Sequence, residues 1–130
     1  MSKSTKSVLL VDDEKFIQQS FADYLEDQLW QVFRADSGEQ ALELLVTESP
    51  DCAIVDIRMG GMDGITFIRE AFKEKPNMSF IICTGSPEFK IPEDLVKLSC
   101  VSNQIFQKPV TDLESLEKSL IQSIEAMNNE

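Results

Sequence analysis

The chain has 130 residues, of which 42% are hydrophobic and 27% are charged, a composition typical of one globular domain. Its 23 acidic residues outnumber its 12 basic residues, so the formal net charge at pH 7 is -11. Because such a surface repels phosphate backbones and anionic lipids, we expect no direct nucleic acid binding and no membrane insertion. Proteins or cations are the expected partners.

Short aliphatic segments alternate with segments of helical periodicity along the chain, and five of each are predicted. The predicted strands are Ser7 to Val11, Gln31 to Ala35, Cys52 to Asp56, Ser79 to Thr84 and Gln104 to Gln107. This alternation indicates right-handed crossovers and a parallel sheet with helices on both faces. No linker or low-complexity segment divides the chain, so we expect a single α/β domain over residues 1–130, with its core over about residues 7–126.

Side chains at helical spacing, apolar except for Gln28 and one tyrosine hydroxyl, mark one face of each predicted helix. In chain order, these residues are Ile17, Phe21, Tyr24 and Gln28; Ala41, Leu42 and Leu45; Ile65, Ile68 and Phe72; Leu95 and Leu98; and Leu113, Leu116, Leu120 and Ile124. Ser37 with Gln40, and Thr111 with Glu114, have the spacing of a capping box. The second and fifth helices are therefore predicted to begin near Ser37 and Thr111.

Three cysteines and the absence of histidine restrict the chemistry that the chain can perform. Cys52 and Cys83 lie in apolar segments, and with Cys100 they have no zinc-type spacing, so burial in the core is predicted over a redox or metal role. No signal peptide or membrane-length apolar segment is found, which predicts a reducing cytoplasmic location. Without histidine, any chemistry must depend on carboxylate, hydroxyl and ammonium groups.

Polar side chains stand at the ends of four predicted strands. Asp12 and Asp13 follow the first strand, Asp56 ends the third, and the fourth and fifth lead to Thr84 and Lys108. Ligands of open α/β sheets bind at the carboxyl ends of strands, so the three carboxylates converge if the first and third strands are neighbours. Clustered carboxylates repel one another, and Mg2+, which prefers oxygen ligands, is the economical counterion. With a carboxylate nucleophile and two phosphate-binding side chains, the site is predicted to accept a phosphoryl group.

Each of these residues also has a simpler interpretation when it is taken alone. Asp12 and Asp13 are suited to cap the first helix, Thr84 to form a turn, and Lys108 to occupy a solvated surface position. Their joint placement at strand ends favours the phosphoryl site over these alternatives.

Four segments resemble the motifs of two-component response-regulator receiver domains of the chemotaxis-regulator type. They are VLLVDDE at 8–14, PDCAIVDIRMGGMDG at 50–64, IICTG at 81–85 and QKPV at 107–110. The resemblance covers nearly the whole chain. It implies a flavodoxin-like, doubly wound sheet of five parallel strands in the order 2-1-3-4-5, with five helices in a three-layer sandwich. It also implies a cis peptide bond between Lys108 and Pro109.

The resemblance assigns a role to each residue of the predicted site. It makes Asp56 the phosphoryl acceptor and makes Thr84 and Lys108 its phosphoryl contacts. The implied ligands of Mg2+ are Asp12, Asp13, Asp56 and the backbone carbonyl of Arg58. The implied donor is a histidine kinase or a phosphotransfer protein, and the implied receiver of the signal is a downstream protein or output domain.

Two other functions are compatible with parts of this pattern. One is a phosphorylation-independent pseudo-receiver that acts as a protein-binding module, although the complete set of site residues favours phosphorylation. The other is a haloacid-dehalogenase-type phosphatase, which needs a second aspartate where Arg58 stands.

Two positions depart from the family pattern. Gly60 stands where many members carry proline, which predicts a more mobile loop after Asp56. Ile105 stands where a tyrosine or phenylalanine is usual, with Phe106 one place later. The usual aromatic switch is therefore missing. We expect Ile105 to stay inside, and the switch to run through Thr84 and residues 85–92.

Overall fold

The computed structural model describes residues 5–128, and its centre is a five-stranded parallel sheet. The strands are β1 (Ser7–Val11), β2 (Gln31–Ala35), β3 (Cys52–Asp56), β4 (Ser79–Thr84) and β5 (Val101–Gln107). The helices are α1 (Lys15–Asp27), α2 (Gly38–Leu44), α3 (Gly64–Glu74), α4 (Glu93–Val96) and α5 (Leu113–Asn128). The strand order β2-β1-β3-β4-β5 is the one that was predicted, so β1 and β3 are neighbours and their carboxyl ends meet.

The three inner strands are buried along their whole length, which explains why their sequences are nearly continuous apolar runs. Alternate residues of β1 enter two separate cores. Leu9 and Val11 pack in the core that includes α2 and α3 residues, whereas Val8 and Leu10 pack in the core that includes α1 and α5 residues. The sheet is thus covered on both faces, as predicted. Within residues 5–128, no helix combines the length and the apolar character needed to cross a membrane.

Two predicted elements differ at their bounds. Strand β5 begins at Val101, three residues before the predicted Gln104. The prediction missed this start because residues 102–104 are polar and partly or fully exposed on this edge strand. Helix α4 has only four residues, and Leu98 lies beyond its end although it still packs against the core. An apolar residue at helical spacing therefore marked a buried position here without marking a helix.

Both helices begin near the predicted residues, but only the capping residue predicted for α2 was correct. The Ser37 hydroxyl accepts a hydrogen bond from the Gln40 backbone N–H at 3.0 Å and caps α2. At α5, the Asp112 carboxylate accepts from the Ser115 N–H at 3.0 Å, so Asp112 takes the capping position that was predicted for Thr111. Aspartate and threonine are both good N-cap residues, so the sequence did not show which of these two adjacent residues caps the helix.

The buried face of α1 is rotated by about one residue from the predicted one. Phe21 belongs to both, but Ile17 and Tyr24 are only half-buried and Gln28 is exposed at the end of the helix. The side chain of Gln18, which is 2% exposed, occupies the buried face instead. A polar side chain can be buried there because its hydrogen bonds are satisfied by the ends of β1 and β2.

Gly64 allows the first turn of α3 to lie directly against the end of β3. Its N–H donates to the Ile57 carbonyl at 3.0 Å, and a Cβ at this position would lie 2.2 Å from the carbonyl oxygen of Asp56. We expect Gly64→Ala to lower the free energy of unfolding by about 3 kcal/mol, because backbone must move to relieve the overlap. Urea denaturation measures this change.

Gly60→Ala is the matched control, since a Cβ at Gly60 would meet no atom within 4 Å. Its effect should stay within about 0.5 kcal/mol. Similar losses of stability in the two variants would show that the close approach at Gly64 is not the cause.

Candidate functional site

The carboxyl ends of β1 and β3 bring three aspartates together. Asp12, Asp13 and Asp56 each present a carboxylate oxygen, and these oxygens lie within 4.8 Å of one another. Asp12 is 5% exposed and Asp56 is 4% exposed, whereas Asp13 is exposed. The cluster thus has two acids at its buried base and one at its rim.

Lys108 supplies the positive charge at the base of this cluster. Its Nζ atom lies 2.9 Å from Asp12 Oδ2 and 3.2 Å from Asp56 Oδ2, and its side chain is 9% exposed. The Lys108 backbone N–H donates to the Thr84 carbonyl at 2.9 Å and so continues the β4 to β5 ladder by one residue. The following peptide bond, to Pro109, is cis, as the resemblance implied.

The electrostatics of the cluster favour a further cation. Burial raises the pKa of Asp56 to about 6, and the charge of Asp12 adds to this shift while Lys108 opposes it. Burial also raises the pKa of Asp12, against the hydrogen bond from the Glu14 N–H. Burial lowers the pKa of Lys108, but its hydrogen bonds to Glu14 and Asp12 outweigh that effect and raise it overall. One ammonium group therefore faces more than one carboxylate, and the net local charge is negative at neutral pH.

The donor set of the cluster fits a hard divalent cation. It consists of carboxylate oxygens, and Mg2+ prefers such ligands together with water and phosphate oxygens. Two carboxylate oxygens of the cluster make only long hydrogen bonds. Asp13 Oδ2 accepts from the Gly60 N–H, and Asp56 Oδ1 accepts from the Arg58 N–H, each at 3.4 Å. Weak contacts of this kind leave those oxygens available to a cation.

The helix-capping alternative for Asp12 and Asp13 is not what the structure shows. The N-cap residue of α1 is Glu14, and no side chain makes a capping hydrogen bond there. Asp12 Oδ1 instead accepts from the Glu14 N–H at 2.9 Å, just before the helix. This bond fixes the Asp12 carboxylate at the strand end.

A cleft of about 600 Å³ opens over Asp56, and Thr84 and Lys108 contribute to its lining together with residues 85–88. The Thr84 hydroxyl accepts a hydrogen bond from the Ser86 N–H at 3.1 Å, so the simpler interpretation of Thr84 as a turn residue holds as well. The Arg58 side chain lies at the same cleft and donates to the Ser86 hydroxyl at 3.3 Å.

Ile105 and Phe106 lie on opposite faces of β5, as successive strand residues must. Ile105 is half-buried, pairs with Ile82 and packs against the core that includes α3 residues. Phe106 packs against the other core. Phe106 therefore faces the opposite side of the sheet from position 105, where an aromatic residue is usual in receiver domains, and it cannot occupy the place of that residue.

Glu14 and Gln18 contact residues of the site and were not predicted as site residues. Glu14 Oε1 accepts from Lys108 Nζ at 2.8 Å, although Glu14 belongs to the quoted VLLVDDE segment. The Gln18 amide donates to the Asp12 carbonyl at 3.0 Å and to the Ala35 carbonyl at 3.1 Å, and so joins the ends of β1 and β2. Gln18 lies at helical spacing from the buried residues Phe21, Ala22 and Leu25 of α1, and this spacing was the sequence signal that could have identified it.

Known proteins resemble this chain in sequence. The family model described as "Response regulator receiver domain" matches residues 8–121. Sporulation initiation phosphotransferase F of Bacillus subtilis is 29% identical over 104 residues, which are 80% of this chain and 82% of that protein. The chain spans only 25% to 31% of the length of four other curated relatives that it matches.

Solved structures agree in fold. The signal receiver domain of an HD domain-containing protein from Pseudomonas fluorescens Pf-5 has a TM-score of 0.85 at 26% identity, covering 97% of this chain and 99% of that one. A Thermotoga maritima response regulator in complex with Mg(2+)-BeF has a TM-score of 0.78 at 22% identity, covering 92% and 99%. Apart from Ser7, the residues matched by the family model include all five strands, and the chain belongs to the response regulator receiver domain family.

Proposed function

We propose that this chain accepts a phosphoryl group on Asp56 with the help of Mg2+. The observation that carries the proposal is a buried carboxylate, Asp56, in contact with the Lys108 ammonium, beside Asp12 and Asp13 and open to a cleft. A receiver family member that is named a phosphotransferase, and another determined with Mg(2+)-BeF, support the same chemistry.

The transfer step follows from the atoms at the site. An Asp56 Oδ atom forms a bond to phosphorus while the bond from phosphorus to the donor's leaving group breaks, and the leaving group takes that electron pair. Lys108 holds an oxygen of the transferred group, and the Thr84 hydroxyl can donate to another. Bound Mg2+ would be held by Asp12, Asp13, Asp56 and the Arg58 carbonyl, and it would neutralise charge between carboxylate and phosphoryl oxygens.

The proposed partners follow from the same chemistry. The donor is a histidine kinase or a phosphotransfer protein, which supplies the phosphohistidine that this histidine-free chain lacks. The signal passes to a downstream protein or output domain, and the phosphoryl group is later lost by hydrolysis at the same site. We place this single receiver domain in the cytoplasm.

Incubation with acetyl phosphate and MgCl2, followed by intact-protein mass spectrometry, tests the proposal. We expect the mass of one phosphoryl group, removed by hydroxylamine, which cleaves acyl phosphates, and prevented by EDTA. Failure to incorporate phosphate under any Mg2+ concentration would favour the pseudo-receiver alternative.

The response of the loop at residues 85–92 to phosphorylation should depend on Thr84 more than on Ile105. The Thr84 hydroxyl accepts a hydrogen bond from Ser86 in this loop, whereas Ile105 is half-buried and packs against the core. Beryllofluoride mimics the phosphoryl group on Asp56, and we expect it to shift the amide signals of residues 85–92. Thr84→Ala should remove more than half of that shift, and Ile105→Ala should leave most of it.

Thr84→Ser is the control, because it keeps the hydroxyl and should keep the response. If the largest changes instead centre on Ile105 and Phe106 while residues 85–92 stay unchanged, the loop is not the switch.

A further inference from the structure

The Lys108 ammonium group has a third carboxylate partner besides the two buried aspartates. Its Nζ atom lies 2.8 Å from Glu14 Oε1, a shorter distance than those to Asp12 and Asp56. A lysine ammonium has three N–H donors. Three carboxylates lie within 3.2 Å of this group, so an arriving phosphoryl oxygen must compete with them for its donors.

The three partners of Lys108 differ in how firmly they are held. The side chains of Asp12 and Asp56 are 6% and 4% exposed, and Asp12 also accepts a hydrogen bond from the Glu14 N–H at 2.9 Å. The Glu14 side chain is 59% exposed, and among residues 5–128 its carboxylate has Lys108 as its hydrogen-bond partner and no other. Water can replace Lys108 as the partner of Glu14, so Glu14 is the carboxylate that can leave at the lowest cost.

We propose that Glu14 is a positioning residue that occupies one donor of Lys108 in the resting protein and yields it to the incoming phosphoryl oxygen. The inference rests on the proposed function. Glu14 and Lys108 both line the cleft over Asp56, and the release of Glu14 from the ammonium sets part of the barrier to phosphorylation. Removing the carboxylate should therefore speed the reaction, which is the opposite of what loss of a ligand or a nucleophile does.

The test compares the initial rates of phosphorylation by acetyl phosphate at saturating Mg2+. We expect Glu14→Gln to be about fivefold faster than wild type, since an exposed ion pair is a weak interaction that nonetheless must be broken. Glu26→Gln is the matched control: it removes a negative charge from an exposed glutamate of α1, outside the cleft, that makes no ion pair among the described residues. Its rate should stay within about twofold of wild type.

A second measurement follows the contact itself. In wild-type protein, the side-chain carboxyl carbon signal of Glu14 should shift when beryllofluoride is added, because the carboxylate loses its ammonium partner. Equal rates in Glu14→Gln and Glu26→Gln, or an unmoved Glu14 signal, would overturn the role of Glu14 while leaving phosphorylation of Asp56 intact. A wild-type protein that takes up no phosphate overturns both.

Discussion

Asp56→Asn is expected to reduce phosphorylation by acetyl phosphate below detection while the fold remains intact. The asparagine side chain has nearly the same shape, but its amide cannot act as the nucleophile. The site itself should tolerate the change, because a buried carboxylate with a raised pKa is replaced by a neutral group. Intact-protein mass spectrometry measures the label, and an amide correlation spectrum reports the fold.

Asp13→Asn is the informative comparison, because Asp13 is an exposed member of the same cluster. Loss of a cation ligand should lower the labelling at low Mg2+ concentration and allow recovery at high concentration. Loss of the nucleophile should allow no recovery. Hydroxylamine-labile phosphate on the Asp56→Asn variant would mean that another carboxylate is the acceptor.

The sheet was predictable because its inner strands are buried on both faces. Segments such as Cys52–Asp56 are buried on both faces of the sheet, so the sequence shows an unbroken apolar run that ends at the acidic site residue Asp56. The edge strand β5 has only one neighbour, and its first residues need no apolar character. Its start at Val101 was missed for that reason.

The convergence of the site was predictable from strand ends, but its internal contacts were not. Strand order brings Asp12 and Asp56 to one edge, and this needs only the identity of neighbouring strands. The contact between Glu14 and Lys108 depends on where two long side chains meet across 94 positions of sequence. No periodicity or motif spacing carries that information.

The burial of Gln18 shows a related limit. Hydrophobic periodicity treats a glutamine as a solvent-facing residue, so it predicted a face of α1 through Ile17 and Tyr24. In the folded protein, the Gln18 amide donates to the carbonyl groups of Asp12 and Ala35 at the ends of β1 and β2. These side-chain to backbone hydrogen bonds, which hydrophobic periodicity does not register, allow Gln18 to share the buried face with Phe21, Ala22 and Leu25.

Removing the Lys108 ammonium group from the base of the site should destabilise the protein in the absence of Mg2+, and the size of the effect should depend on pH. In wild type, the pKa of Asp56 is raised to about 6, so its contribution to stability is fully present below about pH 4 and is lost as the pH rises through about 6. Lys108→Met removes the ammonium that opposes this shift and leaves two buried carboxylates facing each other. Their pKa values should then rise further.

We therefore expect Lys108→Met to lower the free energy of unfolding by about 3 kcal/mol at pH 8, because a buried charge pair has lost one partner. At pH 5 the loss should be less than half as large, since a protonated Asp56 no longer needs a counterion. Urea denaturation in EDTA at the two pH values measures the difference, and added Mg2+ should reduce it at pH 8 by restoring positive charge.

Lys73→Met is the matched control, because Lys73 pairs with Glu70 on the surface of α3 and its side chain is 68% exposed. Such a pair contributes about 0 to 1 kcal/mol, so Lys73→Met should change the stability little at either pH. If Lys108→Met lost the same stability at both pH values, packing of the lysine stem would explain its role. A loss that grows with pH and shrinks with Mg2+ requires the charge, because methionine keeps most of the stem and none of the ammonium.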